Sequence, residues 1–211
     1  MNKKLNGYYN YTVILTYLGM LAGFAGIAFV MEGRLRQAVL SLMIAGFCDM
    51  FDGAVAATKE RTDNEKKFGI QIDSLSDLIC FGVLPGLICY QACGKNYMAF
   101  AFGSFYALCA LIRLAYFNVM EEERQNQEGG RRTSYQGLPV TTSAIFLPLI
   151  YMAHYWLPQG NMIMMAAMSL MAIAFVCPFK VRKPHVPGKI TLMVLGIAEF
   201  TILLLNVGPT L

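Results

Sequence analysis

The sequence predicts an all-α fold: a polytopic membrane helix bundle of six to eight transmembrane helices, seven by direct count. Three observations carry this. The 211 residues are 56% hydrophobic and only 14% charged, whereas a soluble domain carries about 25% charged residues. The apolar residues run in blocks of about 20, the length that crosses the hydrocarbon core. Nearly all the charge lies in short islands between those blocks. The same pattern excludes a disordered chain, a secreted disulfide scaffold and a nucleic-acid binder that works through a basic surface.

In chain order, the first block covers residues 12–32. It is too long for a signal-peptide core and further spans follow, so it is a retained helix. Blocks at 37–57 and 70–93 come next, joined by a charged loop of about a dozen residues. The fourth, 97–119, contains Arg113, and 139–157, 161–177 and 190–206 complete the set, the sixth being the shortest. The polar segment Glu121–Arg132 carries Gly129-Gly130 and reads as a flexible loop. No internal repeat is visible, and residues 1–211 read as a single membrane domain.

The placement of Lys and Arg orients the bundle. With a cytoplasmic N-terminus, all of the 17 basic residues except Arg34, Arg36, Lys95 and Arg113 fall in cytoplasmic segments. This predicts a cell-membrane protein with its N-terminus inside. The run Lys180-Val-Arg182-Lys183 is a topogenic or anionic-lipid-facing cluster. Cys48, Cys80, Cys89, Cys93, Cys109 and Cys177 fall in or beside apolar blocks without a CxxC pair, so they read as small buried residues. His154 and His185 are too far apart in sequence to suggest a metal site.

Four carboxylates stand out. An Asp in a membrane helix costs roughly 2.5–3.5 kcal/mol on insertion scales, yet Asp49, Asp52, Asp73 and Asp77 lie at the ends of the second and third spans. Asp49 and Asp52 share one helix face, as do Asp73 and Asp77. Gly69 lies one turn before Asp73. The short loop makes the two helices neighbours and antiparallel, which brings all four carboxylates to similar depth around one cleft. Such a cluster needs protons or divalent cations. Oxygen-only ligands suit Mg²⁺, Mn²⁺ or Ca²⁺, and Mg²⁺ usually completes its shell with water and substrate phosphate. The plainer reading, interfacial helix caps in water, fits one Asp better than four at these spacings. Gly53 serves either helix packing or close ligand approach.

The stretch Asp49-Met-Phe-Asp52-Gly53-Ala-Val-Ala56, with Gly69-Ile-Gln-Ile-Asp73-Ser-Leu-Ser-Asp77 after the loop, resembles the DxxDGxxAR…GxxxDxxxD signature of the CDP-alcohol phosphotransferases. It departs from that signature at Ala57, where the family has Arg, and in a longer spacer over residues 58–68. Arg61 or Lys59 are the nearby replacements for that cation. Asp73-Ser-Leu-Ser-Asp77-Leu-Ile-Cys-Phe81-Gly82-Val-Leu-Pro85, Arg113-Leu-Ala-Tyr-Phe117-Asn118 and Gly137-Leu138-Pro139 are similar to segments of the phosphatidylserine synthase subfamily. The resemblance covers about residues 10–150.

The resemblance implies a reaction of CDP-diacylglycerol with L-serine that yields phosphatidylserine and CMP, at the cytoplasmic face, with Mg²⁺ or Mn²⁺. It implies Asp49, Asp52 and Asp73 as core metal ligands, and Asp77 as general base and further metal ligand. Gly53, Ala56 and Gly69, with Asp52 and Asp73, would border the cytidine nucleotide. Arg113 is the first choice for the serine carboxylate or a phosphate, ahead of Arg131 and Arg132; snorkelling and topogenic roles are their plainer readings. The family implies a homodimer among membrane lipids and no nucleic-acid partner. Glycerol phosphate or inositol phosphate is the rival acceptor, and an ion or proton transporter is the rival class.

Overall fold

The computed structural model describes residues 7–126, 134–182 and 186–205. Among them run seven long helices: α1 (Ile14–Met31), α2 (Leu35–Ala56), α3 (Asp63–Ala92), α4 (Tyr97–Asn126), α5 (Ser143–Trp156), α6 (Gly160–Val176) and α7 (Val186–Leu204). Two three-residue strands, β1 (Ser134–Gln136) and β2 (Lys180–Arg182), pair antiparallel with Tyr135 opposite Val181. The ladder ties the chain before α5 to the chain after α6. The fold is the expected helix bundle, with this ribbon as an addition.

Buried glycines let α1 press close to its neighbours. A Cβ on Gly19 would meet Cys48 of α2 at 3.3 Å, and one on Gly26 would meet Ser41 at 3.1 Å. Gly23 faces Cys80 of α3 in the same way. Small residues at such crossings are the usual device of membrane bundles, where no hydrophobic effect pulls helices together. The densest core gathers Leu42, Phe81, Leu84, Ile88, Tyr106, Leu147, Met168 and Phe175, all essentially without exposure. Tyr106 of α4 and Phe175 of α6 meet edge to face at 5.2 Å. The outer surface carries Leu21, Phe24, Phe47, Phe100, Leu170 and Val194, all exposed. A bilayer covers such a surface; the chain is a multi-pass membrane protein.

The boundaries correct the sequence reading in three places. α3 begins at Asp63, well before residue 70, because Thr62 and Glu65 form a capping box: the Thr62 side chain accepts from the Glu65 amide, and the Glu65 carboxylate accepts from the Thr62 amide. α4 continues through Glu121 to Asn126, so the first half of the expected loop is helix. A helix does not stop where hydropathy stops, since its backbone bonds are internal. Length separates the seven helices as well. Tyr11–Met31, Leu35–Ala56, Asp63–Ala92 and Tyr97–Glu123 are long and apolar enough to span, whereas Gly160–Val176 and Thr191–Leu204 are shorter apolar helices. α5, at 14 residues, reaches only about 21 Å of the roughly 30 Å hydrocarbon core.

Within α3 the hydrogen-bond pattern widens to a π-turn over Leu78–Val83, directly after Asp77. Pro85 follows. It has no N–H to continue the ladder, and a wider turn ahead of it accommodates the ring.

Candidate functional site

Three helices converge at the end of the bundle that holds the C-terminus of α2 and the N-terminus of α3. α2 contributes Asp49, Asp52, Gly53 and Ala56 in its last turns, and α3 contributes Gly69, Asp73 and Asp77. One carboxylate oxygen from each of Asp49, Asp52 and Asp73 lies within 4.8 Å of the others. From α1, the buried Thr16 hydroxyl donates to Asp52 Oδ2 at 3.4 Å.

Asp77 stands apart from this trio. It sits one turn further along α3 and has Asp49, Asp73 and Asp52 as its charged neighbours. Of the four carboxylates expected around one cleft, Asp49, Asp52 and Asp73 form the close group, and Asp77 is not part of it.

The helix packing explains why the site is open. α2 packs on the Leu78–Ala92 part of α3, and that contact falls away over Asp63–Asp77. The two helices splay toward the carboxylate end instead of lying side by side throughout. The rotation of α3 about its axis is pinned on both flanks. Ser74 donates to Asn118 of α4 at 2.8 Å, Ser76 to the Thr16 carbonyl at 3.4 Å, and Cys80 to the Gly19 carbonyl at 3.4 Å. With Ser74 and Ser76 turned to the neighbouring helices, Asp73 and Asp77 are left for the cleft.

The small residues border that cleft. Among the described residues, a Cβ on Gly53 would meet nothing within 4 Å, and one on Gly69 would meet only the Arg61 guanidinium, at 3.1 Å. Ala56 lines an adjacent groove of about 390 Å³ with Ala57, Lys59, Glu60, Arg61 and Lys66. The α2–α3 connection that forms it is laced to the N-terminal segment. Asn10 donates to Glu65 at 3.0 Å, Tyr11 hydrogen-bonds Thr58 at 3.0 Å, and the rings of Tyr8 and Phe68 stand 5.5 Å apart.

Arg113 is placed differently from a free anion binder. It is 6% exposed, its Nε donates to the Leu138 carbonyl at 3.4 Å, and its guanidinium lies 5.6 Å from the Phe117 ring centre. It clamps the Gly137-Leu138-Pro139 turn. That turn also closes the end of α6: the Gly137 amide donates to the Phe179 carbonyl and the Leu138 amide to the Ala174 carbonyl. Arg131, Arg132, Lys183 and His185 lie outside the described residues. All six cysteines are unpaired thiols.

Thr16, Asn118 and the contact of Arg61 with Gly69 are parts of the site that spacing did not reveal. Thr16 sits in an apolar block with no motif around it. Asn118 was visible only as the end of a longer segment.

The donor set fits a hard divalent cation. Carboxylate oxygens gathered at this separation match the ligands that Mg²⁺ and Mn²⁺ take. Three carboxylates with oxygens within 4.8 Å of one another need a proton or a cation among them. Among the described residues, the cluster contains no nitrogen or sulfur ligand.

Comparison with known proteins adds an independent line. The CDP-alcohol phosphatidyltransferase family matches residues 9–179. The chain is 29% identical over 188 residues to an archaetidylserine synthase of Methanothermobacter thermautotrophicus, covering 89% of this chain and 75% of that one. It is 33% identical over 147 residues to the CDP-diacylglycerol–serine O-phosphatidyltransferase of Saccharomyces cerevisiae, covering 64% of this chain and 52% of the relative. For the Helicobacter pylori protein of the same name the identity is 30% over 155 residues, covering 72% and 60%. The chain thus spans three quarters of the archaeal relative but only about half of the yeast one.

Proposed function

The chain belongs to the CDP-alcohol phosphatidyltransferase family, a family of phosphotransferase enzymes, and from that membership we propose that it transfers a phosphatidyl group from CDP-diacylglycerol to L-serine, giving phosphatidylserine and CMP. The observation that carries the reading is the convergence of Asp49, Asp52 and Asp73 at one end of a membrane bundle. A lipid-anchored diphosphate presents its head group at that depth while its tails stay among the helices. The choice of serine rests on the relatives, whose names all contain it.

In this reading Asp49, Asp52 and Asp73 hold Mg²⁺ or Mn²⁺. Such an ion, when bound, supplies charge neutralisation to the diphosphate and to the leaving group. Asp77 takes the proton from the serine hydroxyl. The serine oxygen forms a bond to the phosphorus that bears the diacylglycerol, and the bond from that phosphorus to the CMP oxygen breaks, its electron pair leaving with CMP. Thr16 orients Asp52. The open space over Gly53 and Ala56 receives cytidine and ribose, and Gly69 admits the nucleotide close to α3.

Arg113 is the proposed partner of the serine carboxylate or a phosphate, using guanidinium nitrogens other than the Nε that holds Leu138. Arg131 and Arg132 remain secondary proposals. We assign this end of the bundle to the cytoplasm, a reading that the distribution of Lys and Arg supports. We assign residues 1–211 to one catalytic membrane domain, active as a homodimer.

The test uses purified protein in detergent or lipid vesicles with CDP-diacylglycerol and Mg²⁺ or Mn²⁺. Release of CMP should require serine and yield phosphatidylserine on product chromatography. CMP release that depends on glycerol phosphate or inositol phosphate instead would overturn the acceptor.

A further inference from the structure

Arg61 lies in the α2–α3 connection, partly buried. Its Nη1 stands 3.1 Å from the point a Gly69 Cβ would occupy, the only contact there within 4 Å among the described residues. Gly69 is one helical turn from Asp73, about 6 Å along the axis and on the same face. Ala56 is likewise one turn from Asp52. The guanidinium therefore sits one turn outward from the carboxylates, on the groove that Ala56 and Ala57 also line.

The three cations of this groove are not equivalent. Lys59 pairs with Glu65 at 3.5 Å and Lys66 with Asp63 at 3.4 Å. Arg61 has no ion pair or hydrogen bond with a described residue. Its backbone is nonetheless well placed, because Thr62, the next residue, is the capping residue of α3. Glu65 of that same box is held by Asn10. An uncompensated guanidinium beside a cluster of cation-binding carboxylates suits an anion with two kinds of oxygen: some facing a metal, others facing a fork of N–H donors.

We propose that Arg61 binds the diphosphate of the cytidine-bearing donor from the Gly69 side, opposite the oxygens that face the Asp49–Asp52–Asp73 cluster. This rests on the donor assigned above and names a further residue for it. It also accounts for Ala57. An arginine there would enter the same groove; in this chain the cation arrives from four residues later, on the longer connection.

The test measures binding of free CDP with Mn²⁺ to the full chain by calorimetry, together with KM for each substrate. Arg61→Gln should weaken CDP binding about 10–30-fold, the worth of a charge-assisted pair. It should raise KM for CDP-diacylglycerol in step and leave KM for serine within about twofold. Arg61→Lys should keep part of the affinity. Lys59→Gln, which removes an already paired cation, should cost less than about threefold. Adding Ala57→Arg to Arg61→Gln should restore most of the lost affinity. CDP binding that falls with Asp52→Asn but not with Arg61→Gln would overturn the role of Arg61 and leave the donor assignment standing. A wild-type chain that does not bind CDP would overturn both. Equal increases in both KM values with a lowered unfolding temperature would mean that Arg61 only supports the fold, and the proposal would fall.

Discussion

Gly86 of α3 and Gly103 of α4 meet backbone to backbone. A Cβ on Gly86 would stand 2.7 Å from the Gly103 carbonyl oxygen, and one on Gly103 would stand 2.6 Å from that of Gly86. Both obstacles are main-chain atoms, so no rotamer change relieves them. Gly103→Ala is expected to lower stability by about 1–3 kcal/mol, read as a lower unfolding temperature in detergent. Gly86→Ala should do the same. The double variant should cost less than the sum, because one separation of the helices relieves both clashes.

Gly137 combines a conformational and a steric demand. Its φ is +72°, and a Cβ would lie 2.6 Å from the Phe175 carbonyl oxygen. Gly137→Ala should cost more than the roughly 1–3 kcal/mol of a strained residue alone. The Arg113–Leu138 bond depends on the same turn. Gly137→Ala and Arg113→Ala should therefore show overlapping, non-additive losses of unfolding temperature.

Asp77 and Asp52 should fail in different ways. Asp77→Asn is expected to lower kcat by about 10²–10⁴-fold, the contribution of a well-placed base, while binding of CDP with Mn²⁺ persists. Asp52→Asn removes a member of the trio and should abolish that binding. Lost binding with retained turnover in Asp77→Asn would remove it from the role of base.

Glu199 of α7 is 2% exposed, and neither carboxyl oxygen has a hydrogen-bond partner among the described residues. A buried polar group without a partner carries its desolvation cost uncompensated. Glu199→Met should therefore stabilise the purified protein by about 1–3 kcal/mol. An unfolding temperature that falls instead would mean that the assembled protein supplies the carboxyl with a partner.

The parts of this molecule that could be read from sequence are those written in residue types at fixed spacing. Asp49, Asp52 and Asp73 were legible because three- and four-residue offsets place side chains on one helix face. The third helix was read as starting too late, although Thr62-x-x-Glu65 was present, because hydropathy marks the membrane and not the helix. The π-turn at Leu78–Val83 has no residue signature apart from the nearby Pro85. The separation of Asp77 from the other three, the bond from Thr16 to Asp52 and the approach of Arg61 to Gly69 arise only from how helices cross and how a loop folds back. The bond of Arg113 to Leu138 belongs to the same class: the charge was legible, but its engagement with the Gly137 turn was not.

The widened turn in α3 acts as a phase shifter. An α-helix advances about 100° per residue, so one residue more or less in a continuous rod swings everything beyond it by that angle. Here the wide turn lies between the half of α3 that carries Asp73 and Asp77 and the half that carries Leu84, Gly86 and Ile88. The inner half can stay locked against α4 at Gly103 while the outer half aims its acids at α2. Removing one residue from 78–83 would let the rod become regular, and its two halves could no longer both be in register with their neighbours.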